Sequence, residues 1–126
     1  MPGIRLLLVG ESDDVLDAYA AWLRRQPGMS IAGRAHSCEE AVRRAADLTP
    51  DVVVMDEFLP DASGLEATRR IKAVVDGPHV VLTTFYVNEA VQRQAVAAGA
   101  DACLSKSDIT EHLVAEIERL AGKEEP

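Results

Sequence analysis

The sequence predicts an α/β domain in which a parallel sheet of five strands is covered by helices on both faces. Five short, nearly continuous apolar runs alternate with longer stretches of helical periodicity. The runs lack the polar–apolar alternation of a half-solvated strand, so each reads as a strand buried on both faces. Gly, Pro or capping residues punctuate the junctions. Strands alternating with helices give one parallel sheet because each crossover carries the chain back to the same edge.

The first run, Ile4 to Val9, ends at Gly10 and is strand one. Ser12 to Gln26 follows as a helix, with Val15, Leu16, Tyr19, Trp22 and Leu23 on one stripe and Pro27-Gly28 closing it. Met29 to Ala35 is a weaker second strand. Ser37-Cys38-Glu39-Glu40 is a capping box, hydroxyl and carboxylate each answering an orphan amide, and opens a helix to Leu48. Thr49-Pro50 breaks that helix before the third and clearest strand, Asp51 to Met55. Ser63 to Glu66 is a second capping box, for a helix to Val75, and Asp76-Gly77-Pro78 is a turn. His79 to Thr83 is strand four. Asn88 caps a helix to Ala98, ended by Gly99. Ala102 to Leu104 is strand five, and a last helix runs from Asp108 to Leu120, leaving 122–126 as a tail or linker stub after a domain of 1–121. Neither an internal repeat nor a low-complexity run interrupts this order.

With 126 residues, the chain is near the modal size for one domain. Its net charge of −8 argues against an electrostatic nucleic-acid footprint and suits basic partners or a bound cation, although such a charge also serves solubility alone. Cys38 and Cys103 lack neighbours at ligand spacing, so they read as buried thiols rather than a zinc site. His36, His79 and His112 are scattered and receive no role. The N-terminus has no signal-peptide architecture and the apolar runs are too short to span a bilayer, so a soluble, cytoplasmic protein is expected.

In a doubly wound sheet, ligands bind beyond the carboxyl ends of the strands. Those ends carry Gly10-Glu11-Ser12, Asp56-Glu57-Phe58, Thr83-Thr84 and Ser105-Lys106-Ser107. Gly10 stands alone, without a dinucleotide fingerprint or a Walker loop, which disfavours nucleotide binding. Carboxylates crowded at a sheet edge repel one another and attract a hard cation such as Mg²⁺. A carboxylate can also be a covalent nucleophile toward phosphorus, with metal, ammonium and hydroxyl groups spreading the charge of the transferred group.

The stretch from Pro50 through Asp56, Leu59-Pro60 and Gly64-Leu65-Glu66, with Val81-Leu82-Thr83-Thr84 and Gly99 to Lys106, resembles the response regulator receiver domain family. The resemblance covers Ile4 to about Leu120, and its local pattern is closest to receivers that precede a helix-turn-helix DNA-binding domain. It implies a (βα)5 flavodoxin-like sheet in the order 2-1-3-4-5. By position, Asp56 corresponds to the phosphoacceptor, Thr83 to the hydroxyl that bonds the phosphoryl group, and Lys106 to its ion-pair partner. Glu11, Asp56 and the Phe58 carbonyl correspond to the Mg²⁺ ligands. The family's role is to accept phosphate from a histidine kinase and so bias the face of helix four, strand five and helix five toward a partner or a homodimer. It is not a turnover enzyme on a small substrate.

Three departures from the family pattern stand out. Gly10 replaces the usual first acidic residue, which implies a weaker metal site; the other reading is relief of backbone strain at a tight exit. Moving the register to use Asp13-Asp14 would take Val15, Tyr19 and Trp22 off the helix stripe. Cys103 stands where an aromatic residue is common, so the usual inward swing on activation is muted or takes another path. Ser107 replaces a frequent Pro, leaving Ser107 or Asp108, paired with Glu111, to cap the last helix. Phe58 and Phe85 would flank the site and either shield it from water or be partly buried loop aromatics. The rival function is a degenerate receiver that acts as a phosphorylation-independent interaction module. A small hydrolase with an aspartyl nucleophile is disfavoured, because Phe58 occupies the acceptor-plus-two position where a second Asp would be needed and no cap domain is visible.

Overall fold

The computed structural model describes residues 3–74 and 76–122. Its elements are β1 (Ile4–Val9), α1 (Asp13–Arg24), β2 (Met29–Ala35), α2 (Cys38–Leu48), β3 (Val52–Asp56), α3 (Gly64–Val74), β4 (His79–Thr84), α4 (Glu89–Ala98), β5 (Ala102–Ser105) and α5 (Ile109–Gly122). All strand pairs are parallel and the order is β2-β1-β3-β4-β5.

Successive strand residues point to opposite faces, and each face has its own core. Leu7, Val9, Val53, Met55, Val80 and Leu82 pack with Ala41, Ala45, Ala67, Ile71 and Ala95 of α2, α3 and α4. Leu6, Leu8, Val52, Val54 and Val81 pack with Leu16, Leu23, Leu113 and Ile117 of α1 and α5. Every residue of both strand sets is nearly inaccessible, which is why the strands read as unbroken apolar runs.

The structure moves several boundaries. Ser12 lies outside α1 as its N-cap, accepting from the Val15 amide at 3.4 Å, and the helix ends at Arg24 rather than Gln26. The buried positions of α1 are Leu16, Ala20 and Leu23; Val15, expected on the stripe, is 44% exposed and turns toward the sheet edge. Ser37 caps α2 through the Glu40 amide, but the Glu40 carboxylate reaches the His36 amide at 2.7 Å instead of that of Ser37. Ser63 accepts from the Glu66 amide, whereas the Glu66 carboxylate pairs with Arg69. β3, β4 and β5 each run one residue further than expected, to Asp56, Thr84 and Ser105, because the ladder continues to the site edge. Before α5, Lys106–Asp108 form one turn of 3₁₀ helix whose amide at Ser107 is met by the Ser105 hydroxyl. That serine caps the 3₁₀ turn, while α5 itself begins at Ile109, directly after Asp108. α5 extends through Gly122, the first residue of the expected tail; the rest of that expected tail, 123–126, and Val75 at the expected end of the third helix lie outside the described residues.

Cys38 and Cys103 are both free and buried, as expected. No helix among the described residues is long and apolar enough to cross a membrane.

Candidate functional site at the carboxyl edge of the sheet

The order β2-β1-β3-β4-β5 sets β3 between β1 and β4, so the ends of the three central strands open onto one edge. Asp56 is the last residue of β3 and lies in register with Thr83 of β4. Lys106 follows β5, and its Nζ lies 2.9 Å from Asp56 Oδ2. Both side chains are largely withdrawn from solvent, at 18% and 21% exposure, so water screens this pair less than a surface ion pair. The other oxygen, Asp56 Oδ1, accepts from the Phe58 amide at 3.0 Å.

Gly64 fixes the loop after Asp56. Its amide donates to the Glu57 carbonyl, and Phe58 bridges Ser63 across the loop. A Cβ on residue 64 would lie 2.3 Å from the Asp56 carbonyl oxygen, so only glycine permits this approach. The glycine at the start of α3 is thus a steric requirement of the loop after Asp56.

Thr83 is buried, and its hydroxyl donates to the Met55 carbonyl at 3.3 Å rather than to the Asp56 carboxylate. Glu11 is exposed, and together with Asp56, Phe58, Tyr19 and Lys106 it lines a cavity of about 210 Å³. Asp13 is engaged elsewhere: it bonds His36 Nε2 at 2.6 Å and lies 3.6 Å from Arg34, which leaves Glu11 as the acidic residue at the cavity. Among the described residues, no three His, Cys, Asp or Glu side chains cluster to hold a metal. What the cavity lining offers is two carboxylates, Glu11 and Asp56, oxygen donors of the kind a hard, water-rich cation such as Mg²⁺ takes.

Gly10 does not have a left-handed φ, so backbone strain does not account for it. A Cβ there would meet Leu16 Cδ2 at 3.1 Å and Asp56 Cβ at 3.9 Å, contacts that a small shift of the Leu16 side chain relieves. Phe58 and Phe85 flank Asp56 as expected, with ring centroids 6.2 Å apart, but they are 58% and 61% exposed rather than partly buried. Lys106 Nζ stands 4.4 Å above the Phe85 ring, a cation–π contact that helps hold the ammonium beside Asp56.

The chain matches the family model described as response regulator receiver domain over residues 6–118. The chain belongs to the response regulator receiver domain family. This receiver domain is 32% identical over 123 residues to the transcriptional regulatory protein LiaR of Bacillus subtilis, covering 98% of this chain and 58% of LiaR. It is 30% identical over 112 residues to the response regulator protein VraR of Staphylococcus saprophyticus, covering 86% of this chain and 54% of VraR. Among solved structures, a LuxR-family two-component response regulator from Aurantimonas superposes with a TM-score of 0.90 at 32% identity, covering 96% of this chain and 86% of that one. The receiver domain spans about half the length of the curated relatives it matches.

Three contacts of the receiver domain escaped the sequence reading. His36, given no role, bridges Asp13 on α1 and Glu40 on α2. Tyr19, read as helix stripe, also lines the Asp56 cavity. Glu57 accepts a short hydrogen bond from the Thr84 hydroxyl, tying the end of β3 to the end of β4. Burial, and then the nearby Glu57 charge, push the Cys103 thiol up, which places Glu57 near the strand-five position where an aromatic is absent. For Glu57 and Thr84 the only available signal was a polar residue next to each site residue.

Proposed function

We propose that this receiver domain takes a phosphoryl group onto Asp56 from the phosphohistidine of a kinase, and that the product alters a protein-interaction surface. The Lys106–Asp56 pair at 2.9 Å carries the reading. A half-buried ammonium on one carboxylate oxygen, with a backbone amide on the other, fixes the nucleophile's orientation in advance. In the transfer, an Asp56 oxygen forms a bond to phosphorus while the bond from phosphorus to the donor imidazole nitrogen breaks, and the imidazole leaves with the electron pair. Lys106 keeps its positive charge beside the phosphoryl oxygens, and Thr83, in register with Asp56, is placed to turn its hydroxyl from Met55 toward them. Glu11, Asp56 and the Phe58 carbonyl would hold Mg²⁺, which supplies positive charge against the transferring group. The chain acts as its own acceptor and does not turn over a small substrate.

Asp56→Asn should abolish labelling by acetyl phosphate and Mg²⁺, read as the 80 Da mass increment of a phosphoryl group (roughly, from its composition). Full labelling of that variant would exclude Asp56 as the acceptor. LiaR is a transcriptional regulatory protein and VraR a response regulator. By that likeness the proposal extends to a whole protein that pairs a cytoplasmic receiver with an output that regulates transcription; the switched surface proposed within this segment is the α4–β5–α5 face, toward a partner or a second copy. The net charge of −8 argues against a nucleic-acid contact within this segment.

A second reading, a degenerate receiver acting through constitutive contacts, draws on Gly10 and on the lack of a three-carboxylate cluster among the described residues. An NMR titration separates the two. Amide shifts around Asp56 with millimolar Mg²⁺ and beryllofluoride support phosphorylation; their absence supports the degenerate module.

A further inference from the structure

Tyr19 sits on the α1 wall of the cavity beside Asp56, and it is the feature that the phosphoacceptor reading leaves unused. It lies half-buried between Leu16 and Leu23 on the core-facing side of α1. A tyrosine buried this far ordinarily ties its hydroxyl to a protein partner. Here the hydroxyl makes no hydrogen bond to another described residue, nor is it sealed from solvent, and Tyr19 shares the cavity lining with Glu11 and Asp56. Burial, and then the Asp56 charge, push the phenol up.

The neighbouring groups narrow what Tyr19 can do. Gly10 contributes no side chain, although a Cβ there would stand 3.9 Å from Asp56 Cβ. The Ser12 hydroxyl is engaged as the α1 cap. On the α1 side of the cavity, Glu11 and Tyr19 are therefore the remaining oxygen-bearing side chains. A cation held there with one carboxylate fewer keeps one water more, and that water needs an acceptor.

We infer that the Tyr19 hydroxyl is an outer-sphere partner of the cation site, accepting a hydrogen bond from a metal-held water in the space that Gly10 leaves open. Tyr19 is a positioning residue: it acts through the water and not on the phosphoryl group. The inference rests on the phosphoacceptor reading of Asp56. Outer-shell partners typically change metal affinity by about 10–100-fold.

The test is an Mg²⁺ titration of the full chain, followed by ¹⁵N NMR at the Glu11 and Asp56 amides, on wild type, Tyr19→Phe, Gly10→Asp and the double variant. Tyr19→Phe, which keeps the ring and its packing, should weaken Mg²⁺ by about tenfold. In the Gly10→Asp background, the new carboxylate takes the place of the water, and Tyr19→Phe should then change affinity by less than about twofold. Equal Mg²⁺ affinity for wild type and Tyr19→Phe overturns the inference, as does an equal loss in both backgrounds. A lower melting temperature without a change in affinity also overturns it, since that marks a packing role. If wild-type shifts at Asp56 never appear, the phosphoacceptor reading falls as well, an outcome distinct from a normal wild type with an unaffected variant.

Discussion

Glycines 10 and 64 face the same aspartate and answer opposite constraints. Gly64 lies against backbone: a Cβ would come within 2.3 Å of the Asp56 carbonyl oxygen and 2.9 Å of Glu57 Cα, and neither can move without displacing the acceptor. Gly64→Ala should therefore cost about 1–3 kcal/mol or more in urea unfolding and reduce Asp56 labelling. A Cβ at Gly10 would meet the Leu16 side chain at 3.1 Å and Asp56 Cβ at 3.9 Å, with no backbone atom in the way, so Gly10→Asp should fold and tighten Mg²⁺ several-fold by adding a carboxylate. The exposed rings of Phe58 and Phe85 line the same cavity as Asp56, and the shielding hypothesis is that they hinder water from reaching a phosphoryl group there. Phe58→Ala and Phe85→Ala should speed aspartyl phosphate decay a few-fold, followed by mass or radiolabel, and unchanged rates would end the shielding idea. Phe85→Ala also removes the ring beneath Lys106, so its effect should extend to the rate of labelling.

At the scale of elements, the start of α2 is secured from three directions. Ser37 caps the Glu40 amide, Glu40 reaches back to His36, and Asp61 from the loop before α3 accepts from the Cys38 and Glu39 amides at 2.8 and 3.1 Å. Those two amides hold the Asp61 carboxyl below the usual carboxylate range. Ser37→Ala should cost about 1 kcal/mol in thermal or urea melts, as the loss of one capping bond does. The local Ser-to-Glu40-amide bond was readable from sequence because it depends only on spacing along one helix. The Asp61 cap was not, because it joins segments that meet only after α2 and α3 pack together. The Glu57–Thr84 bond is of the same kind, and it couples the acceptor loop to β4 without the strand-five aromatic that Cys103 replaces.

For the whole molecule, two ionic clusters contribute to the response to pH with opposite signs. His36 is met by Asp13 from α1 and Glu40 from α2, with Arg34 and Arg44 nearby, and the Asp13 hydrogen bond leads in raising its pKa above 6.5. A raised histidine contributes stability that is fully present below the unfolded value and lost as pH rises through the folded one. Melting temperature should therefore decline from pH 6 toward pH 9, and His36→Gln should flatten that slope; an identical slope in the variant would remove His36 as its source. Asp101 works in the other direction. Burial opposes its charge, but the Lys72 ammonium at 2.8 Å, the Val80 amide at 2.7 Å and His79 outweigh that and lower its pKa below 3.8. That contribution is present above the unfolded value and disappears as pH falls through the folded one.

The sequence by itself determined the elements and their order along the chain. Burial of each strand on two faces forces continuous apolar runs such as Leu6 to Val9 and Val52 to Met55, and helix starts announce themselves through Ser37 and Asn88. Those are local requirements, satisfied within a few residues, so spacing alone reveals them. Strand order was available only through family resemblance, because pairing between β1 and β3 leaves no mark in either strand's own pattern. The tertiary structure alone decided which polar side chains meet. Lys106 reaches Asp56 across 50 positions, Asp13 turns away to His36, and Thr83 bonds Met55 in this state. Such contacts depend on where the sheet edge places side chains from separate strands, and no periodicity along one segment encodes that.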